Sequence, residues 1–145
     1  MIVYLDASAL IKRYVAEAGS DEVAALIGEG SAIGTAIISR AEVVAALTKA
    51  VRMKLLARAD ATSALQVFRA DWENLIRLQM TEFLVSRAEA LAWDHGLRGY
   101  DAVHLASAVF WQDMLGEPIT VASYDRQLWG AAKTAGLIAW PKSRP

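Results

Sequence analysis

Short apolar runs alternate with stretches of helical periodicity along the whole chain. Ile2-Val3-Tyr4-Leu5, Ser31 to Ile38 and Pro118 to Ser123 are brief and almost unbroken in their apolar character. Runs of this kind predict strands buried on both faces. Leu78 to Met80 and Leu137 to Trp140 predict two shorter strands, the second at a sheet edge. The intervening segments read as helices. One runs from Ser8 to about Val15 and is broken by Glu17-Ala18-Gly19-Ser20. The next is N-capped by Ser20 or Asp21, reaches about Ile27, and stops at Gly28 and Gly30. Ser39-Arg40-Ala41-Glu42 fits a capping box, opening a helix to about Arg52. From Arg58 to Leu78, Ala61, Leu65, Phe68, Trp72, Leu75 and Ile76 fall on one stripe, with charged residues off it. Thr81 to His95 closes at Gly96, Tyr100 to Leu115 is apolar on most sides, and Tyr124 to Ala135 stops at Gly136. Helices between strands predict an α/β fold: a three-layer α/β/α sandwich around a mostly parallel sheet of about five strands.

A length of 145 residues suits one domain, expected over 1–145 with a loose tail at 141–145. The apolar share is 55% and the mean hydropathy +0.28, yet no apolar run nears the roughly 18 residues of a membrane span. The surplus predicts a thick core and at least one surface that a partner covers. The chain has no cysteine, which excludes disulfides, thiolate metal sites and a cysteine nucleophile. MIVYLDAS lacks the charged start and long apolar stretch of a signal peptide, so a cytoplasmic protein is expected. With a net charge of -1 there is no strongly basic nucleic-acid footprint. An RNA substrate stays possible, because bound metal ions can hold phosphates locally.

Four acids change the picture, because each stands where an apolar segment meets a helix. They are Asp6, Glu42, Asp101 and Asp125. A carboxylate there is costly unless its charge is compensated. In an open α/β sheet, ligands bind outside the carboxyl ends of the strands, so all four can face one crevice. A divalent cation would relieve their mutual repulsion, and oxygen-only ligands favour Mg²⁺ or Mn²⁺. Mg²⁺ takes few carboxylates and completes its shell with water and substrate phosphate, so a phosphodiester substrate fits. Each acid also has an ordinary explanation. Asp6 can N-cap the helix from Ser8, Glu42 can complete the capping box with Ser39, and Asp101 and Asp125 sit in first helical turns that favour acids.

The segments MIVYLDASALIKRY, SRAEVVAAL, LRGYDAVHLASAV and VASYDRQL together resemble the PIN-domain nucleases, and more narrowly the VapC-type toxins of toxin–antitoxin modules. The resemblance spans nearly the whole chain. It implies a PIN-like sandwich and a Mg²⁺- or Mn²⁺-dependent endoribonuclease that leaves 5′-phosphate and 3′-hydroxyl ends. Its four acids map onto Asp6, Glu42, Asp101 and Asp125. Asp6 and Asp101 are then expected as metal ligands, with Asp125 and Glu42 acting through water or holding a second ion. Ser8 and Ser123 match auxiliary hydroxyl positions. The resemblance further implies a homodimer, an RNA substrate and a cognate VapB-type antitoxin.

His104, three residues after Asp101, is an acid–base candidate, although its apolar surroundings favour a satisfied core histidine. Lys12, Arg13 and Arg40 could guide RNA phosphate or simply lie on solvated faces. Arg126 could pair with an acid or contact substrate. The five tryptophans are too dispersed for a base-stacking platform. Two other functions remain. One is phosphotransfer with Asp6 as nucleophile, which needs a second acid two positions on where this chain has Ser8. The other is a non-catalytic PIN-like module that binds RNA or protein.

Overall fold

In a computed structural model that describes residues 1–145, five parallel strands form one sheet in the order β3-β2-β1-β4-β5. The strands are β1 (Ile2–Leu5), β2 (Ala32–Ala36), β3 (Ile76–Leu78), β4 (Ile119–Ala122) and β5 (Ile138–Trp140). The helices are α1 (Ala7–Leu10), α2 (Ser20–Glu29), α3 (Ser39–Arg52), α4 (Arg58–Asp71), α5 (Glu82–His95), α6 (Gly99–Leu115) and α7 (Arg126–Thr134).

The central strand explains the layering. β1 pairs with β2 on one side and β4 on the other, with Ile2 aligned to Ala32 and to Ile119. Alternate side chains point to opposite faces. Tyr4 joins a core built with α5, α6 and α7, whereas Val3 and Leu5 join a second core with residues of α1 to α4. Both faces are covered, which is why Val3, Tyr4 and Leu5 are all fully buried. On β2, Gly34 leaves room for α6: a Cβ there would lie 2.6 Å from the Trp111 ring.

From β1 the chain winds outward through β2 and β3, then returns to the far side of β1 for β4 and β5. The switch point therefore lies between β1 and β4, and a crevice forms outside the carboxyl ends of these two strands. Asp6 directly follows one strand, and Ser123 to Asp125 directly follow the other.

Several local expectations shift. The helix from Ser8 is only α1 plus a 3₁₀ turn at Ile11–Arg13. Neither Ser20 nor Asp21 caps α2. Gly19 holds that place with φ +89°, and Ser20 Oγ instead bridges the Glu17 amide and the Val15 carbonyl. The expected long helix to Leu78 ends at Asp71. A 3₁₀ turn at Trp72–Asn74 follows, and Ile76 is spent on β3 beside Gly34. Residues expected as a loose tail carry hydrogen bonds back to the rest of the chain. Trp129 Nε1 donates to the Pro141 carbonyl at 2.8 Å, and Arg126 Nε to the Pro145 carbonyl at 2.6 Å. No helix is long and apolar enough to cross a membrane.

Candidate active site

Asp6 is the most deeply set of the four acids, at 3% exposure. Its backbone amide extends the ladder by donating to the Ala122 carbonyl. Its carboxylate turns back to cap α1, accepting from the Ala9 amide at 2.8 Å. Two hydroxyls complete its surroundings. Ser8 Oγ lies 2.7 and 2.9 Å from the two carboxylate oxygens, and Ser123 Oγ donates to Oδ2 at 2.6 Å. Each hydroxyl also accepts from the loop after β4, Ser8 from the Tyr124 amide at 2.9 Å and Ser123 from the Asp125 amide at 3.1 Å. Ser8 and Ser123 thus stitch the ends of β1 and β4 together around Asp6. A carboxylate offers about four lone-pair sites. Ala9, Ser8 and Ser123 bring one hydrogen each, so capacity for about one further electropositive partner remains. Burial pushes the Asp6 carboxyl above the ordinary aspartate value. Electrostatic interaction with the His104 ring, the Ser123 and Ser8 hydroxyls and the Ala9 amide offset that only in part.

Asp101 and Asp125 form a second group. Asp125 caps α7, with Oδ1 accepting from the Gln127 and Leu128 amides at 2.9 Å. Asp101 lies in the first turn of α6. Arg98, the residue just before that helix, joins them. Its Nε donates to Asp101 Oδ2 and its Nη2 to Asp125 Oδ2, both at 3.0 Å. Hydrogen bonding and charge from Asp101, then the charge of Asp125, raise the guanidinium above its ordinary value.

Glu42 forms the third group. The capping box with Ser39 does not form. Residue 38 occupies the cap without a side-chain bond, and Ser39 Oγ pairs instead with Thr35 Oγ1 at 2.7 Å. Thr35 donates in turn to the Leu5 carbonyl, tying α3 to the end of β1. Glu42 is therefore free to reach across the sheet edge to His104 Nε2 at 2.7 Å. The buried Tyr4 hydroxyl lies 2.7 Å from His104 Nδ1. Burial raises Tyr4 well above the ordinary tyrosine value, so the phenol keeps its proton. With the Glu42 oxygen as acceptor, the ring hydrogen is assigned to Nε2, which leaves Nδ1 to accept from the Tyr4 hydroxyl. His104 is both a satisfied core histidine, at 2% exposure, and the partner of a cleft acid.

The four acids share one end of the sheet, as expected, but their side chains fall into these three groups. No three His, Asp or Glu side chains lie close enough together to hold one metal ion. Glu42 and Asp101 line one open cleft of about 410 Å³ together with Arg98, Gly99 and Tyr100. The donor set there is carboxylate and hydroxyl oxygen, which suits a hard divalent cation. The Arg98 guanidinium between Asp101 and Asp125 shows that this pair accepts a cation. Other basic residues considered from the sequence are engaged elsewhere. Lys12 bonds Glu17 and the Ala18 carbonyl and lies over the Tyr124 ring. Arg13 faces Asp71, Arg40 lies over Trp72, and Arg126 holds the Pro145 carbonyl. Arg98 is a site residue beyond those the motifs mark, and the sequence signal for it lies in LRGYD, an arginine three residues before a first-turn acid.

The PIN domain family model matches residues 3–133. Ribonuclease VapC45 and Ribonuclease VapC49, from two strains of Mycobacterium tuberculosis, are each 36% identical over 141 residues, covering 97% of this chain and 95% of the relative. Among solved structures, PAE2754 from Pyrobaculum aerophilum superposes with a TM-score of 0.64 at 20% identity, over 90% of this chain and 84% of that one. A toxin–antitoxin complex from Klebsiella pneumoniae gives a TM-score of 0.62 at 16% identity, over 85% and 86%. These structural likenesses bear on the fold, and it is the expected α/β sandwich. Fold, near-complete family match and full-length relatives agree that the chain belongs to the PIN-domain family and stands within it beside the VapC ribonucleases.

Proposed function

We propose that the chain is a metal-dependent endoribonuclease and the toxin of a toxin–antitoxin module. The observation that carries this reading is the placement of Asp6, Asp101, Asp125 and Glu42 at the carboxyl edge of one parallel sheet, in a chain whose full-length relatives are named ribonucleases.

Asp6 and Asp101 would hold a Mg²⁺ or Mn²⁺ ion directly, with Asp125 and Glu42 acting through water or at a second ion. When bound, the cation supplies Lewis acidity toward the scissile phosphodiester and the attacking water. The rest falls to the protein. Ser8 and Ser123 fix the Asp6 carboxylate in one orientation. His104, held by Tyr4, fixes Glu42. Such outer partners keep ligands in place and tune their basicity. Attack by Asp6 itself on a phosphate is disfavoured, because both its oxygens accept hydrogen bonds and position 8 offers a serine, not a second acid.

A cytoplasmic location, a homodimer and a cognate VapB-type antitoxin belong to the same proposal. Exposed Leu55, Phe83, Trp93 and Met114 are the kind of apolar surface such partners cover. Expression of the chain alone in bacteria, with mapping of new RNA ends, tests the function. Growth arrest and new ends that vanish in both Asp6→Asn and Asp101→Asn support it. Arrest that persists in both variants favours the non-catalytic binding module and sinks the nuclease.

A further inference from the structure

Arg98 holds a position at odds with a ready metal site. Its guanidinium is the one cation that bridges two of the four acids, and it uses the oxygens Asp101 Oδ2 and Asp125 Oδ2. In this arrangement no three acidic or imidazole side chains are grouped to hold a metal. The arm is nonetheless on the surface, 74% exposed, against 14% for Asp101 and 26% for Asp125. Arg98 also lines the cleft that Asp101 and Glu42 share. A long exposed side chain over two partly buried acids can leave without unpacking any core. Exposed ion pairs are individually weak and give way readily.

We infer that Arg98 is an internal counter-cation that competes with the metal for Asp101 and Asp125, so that the site stays closed until the guanidinium swings off. This rests on the metal-dependent reading above and adds a regulatory element to it. With Arg98 bound, the repulsion between Asp101 and Asp125 is neutralised and the acids keep their places. A divalent cation brings twice the charge, so it can take over the Asp101 oxygen by direct coordination and the Asp125 oxygen through its bound water or at a second ion.

The competition predicts a direction that a supporting role would reverse. If Arg98 only positioned the two acids, removing it would weaken metal binding. If it competes, removing it strengthens binding. The test is calorimetric titration of the purified full chain with Mn²⁺ in the absence of RNA, for the unaltered protein, Arg98→Ala, Arg98→Lys and Asp101→Asn. Arg98→Ala should bind Mn²⁺ about two- to fivefold more tightly, the scale of exposed ion pairs. Arg98→Lys should fall between it and the unaltered chain, and Asp101→Asn should bind more weakly. Because Arg98 is exposed, an unchanged melting temperature for its variants checks that folding is not the cause. Unchanged or weaker binding by Arg98→Ala, beside Mn²⁺ binding that Asp101→Asn weakens, overturns the competition alone. Absence of Mn²⁺ binding in every form overturns the metal-dependent reading and the competition with it.

Discussion

The two halves of the acidic cleft are built on different physics. Around Asp6, everything is short, buried and neutral: two serine hydroxyls and one amide fix the carboxylate, and each serine is held by the loop after β4. Around Asp101 and Asp125, the compensating group is a charged side chain standing in solvent. Hydrogen bonds buried at the end of a sheet set one geometry, because any other leaves a donor unpaired. A solvated ion pair sets no single geometry and can be exchanged for another cation. The cleft thus joins a fixed point to an adjustable rim, and a metal site needs both: one ligand held ready, others able to close.

Substitutions can break that contrast, and the largest effect belongs to the fixed point. Asp6→Asn keeps shape and capping but removes the charge. It should lower RNA cleavage by more than about 100-fold, beyond the cost of losing even an outer partner of a metal ligand. Steady-state cleavage of a labelled RNA measures it. Ser123→Ala should cost about 10- to 100-fold in activity, as an outer partner does. It should also cost about 1–3 kcal/mol in stability, because the buried Asp6 carboxylate loses a donor and the half-buried Asp125 amide its acceptor. Urea unfolding measures the second quantity. Asp125→Asn, at the rim, should cost less activity than Ser123→Ala although Asp125 is itself an acid of the site. The reverse order would erase the distinction between fixed point and rim.

A smaller effect concerns pH. Asp6 has a raised value in the folded chain, so folding takes up a proton between the ordinary aspartate value and the raised one. The contribution of this group is therefore most favourable at low pH and is lost as pH rises through the folded value. In metal-free protein, Asp6→Asn should then be relatively more stable, and melt relatively higher, at neutral pH than at pH about 4. Thermal melts of both forms at the two pH values decide it. Smallest of all, Arg126→Ala should change stability by no more than about 0.5 kcal/mol, as a surface residue outside the network does.

Much of this architecture was legible in the chain because it is local. The apolar runs of β1 and β4, and the acid or serine that ends each, are contiguous in sequence, and the switch-point rule places them side by side. What was not legible depends on partners far away. The exception is Thr35, only four residues before Ser39, which claims its hydroxyl because the turn out of β2 brings the two together; without that turn the capping box looked complete and Glu42 looked spent. Its true partner, His104, is 62 residues on. The stripe from Arg58 ran on past Asp71 because Leu75 and Ile76 continue the helical spacing. Pairing with β2 draws Ile76 into a strand instead. Arg98 was hidden for a related reason: one of its acids is three residues away, but the other is 27.

The most direct measurement is cleavage of a defined RNA by the purified chain as the metal is removed by chelation and then returned. The account predicts that chelation abolishes cleavage, that Mn²⁺ or Mg²⁺ restores it, and that neither metal restores Asp6→Asn or Asp101→Asn. Cleavage that survives chelation, or that persists in both variants, would contradict it.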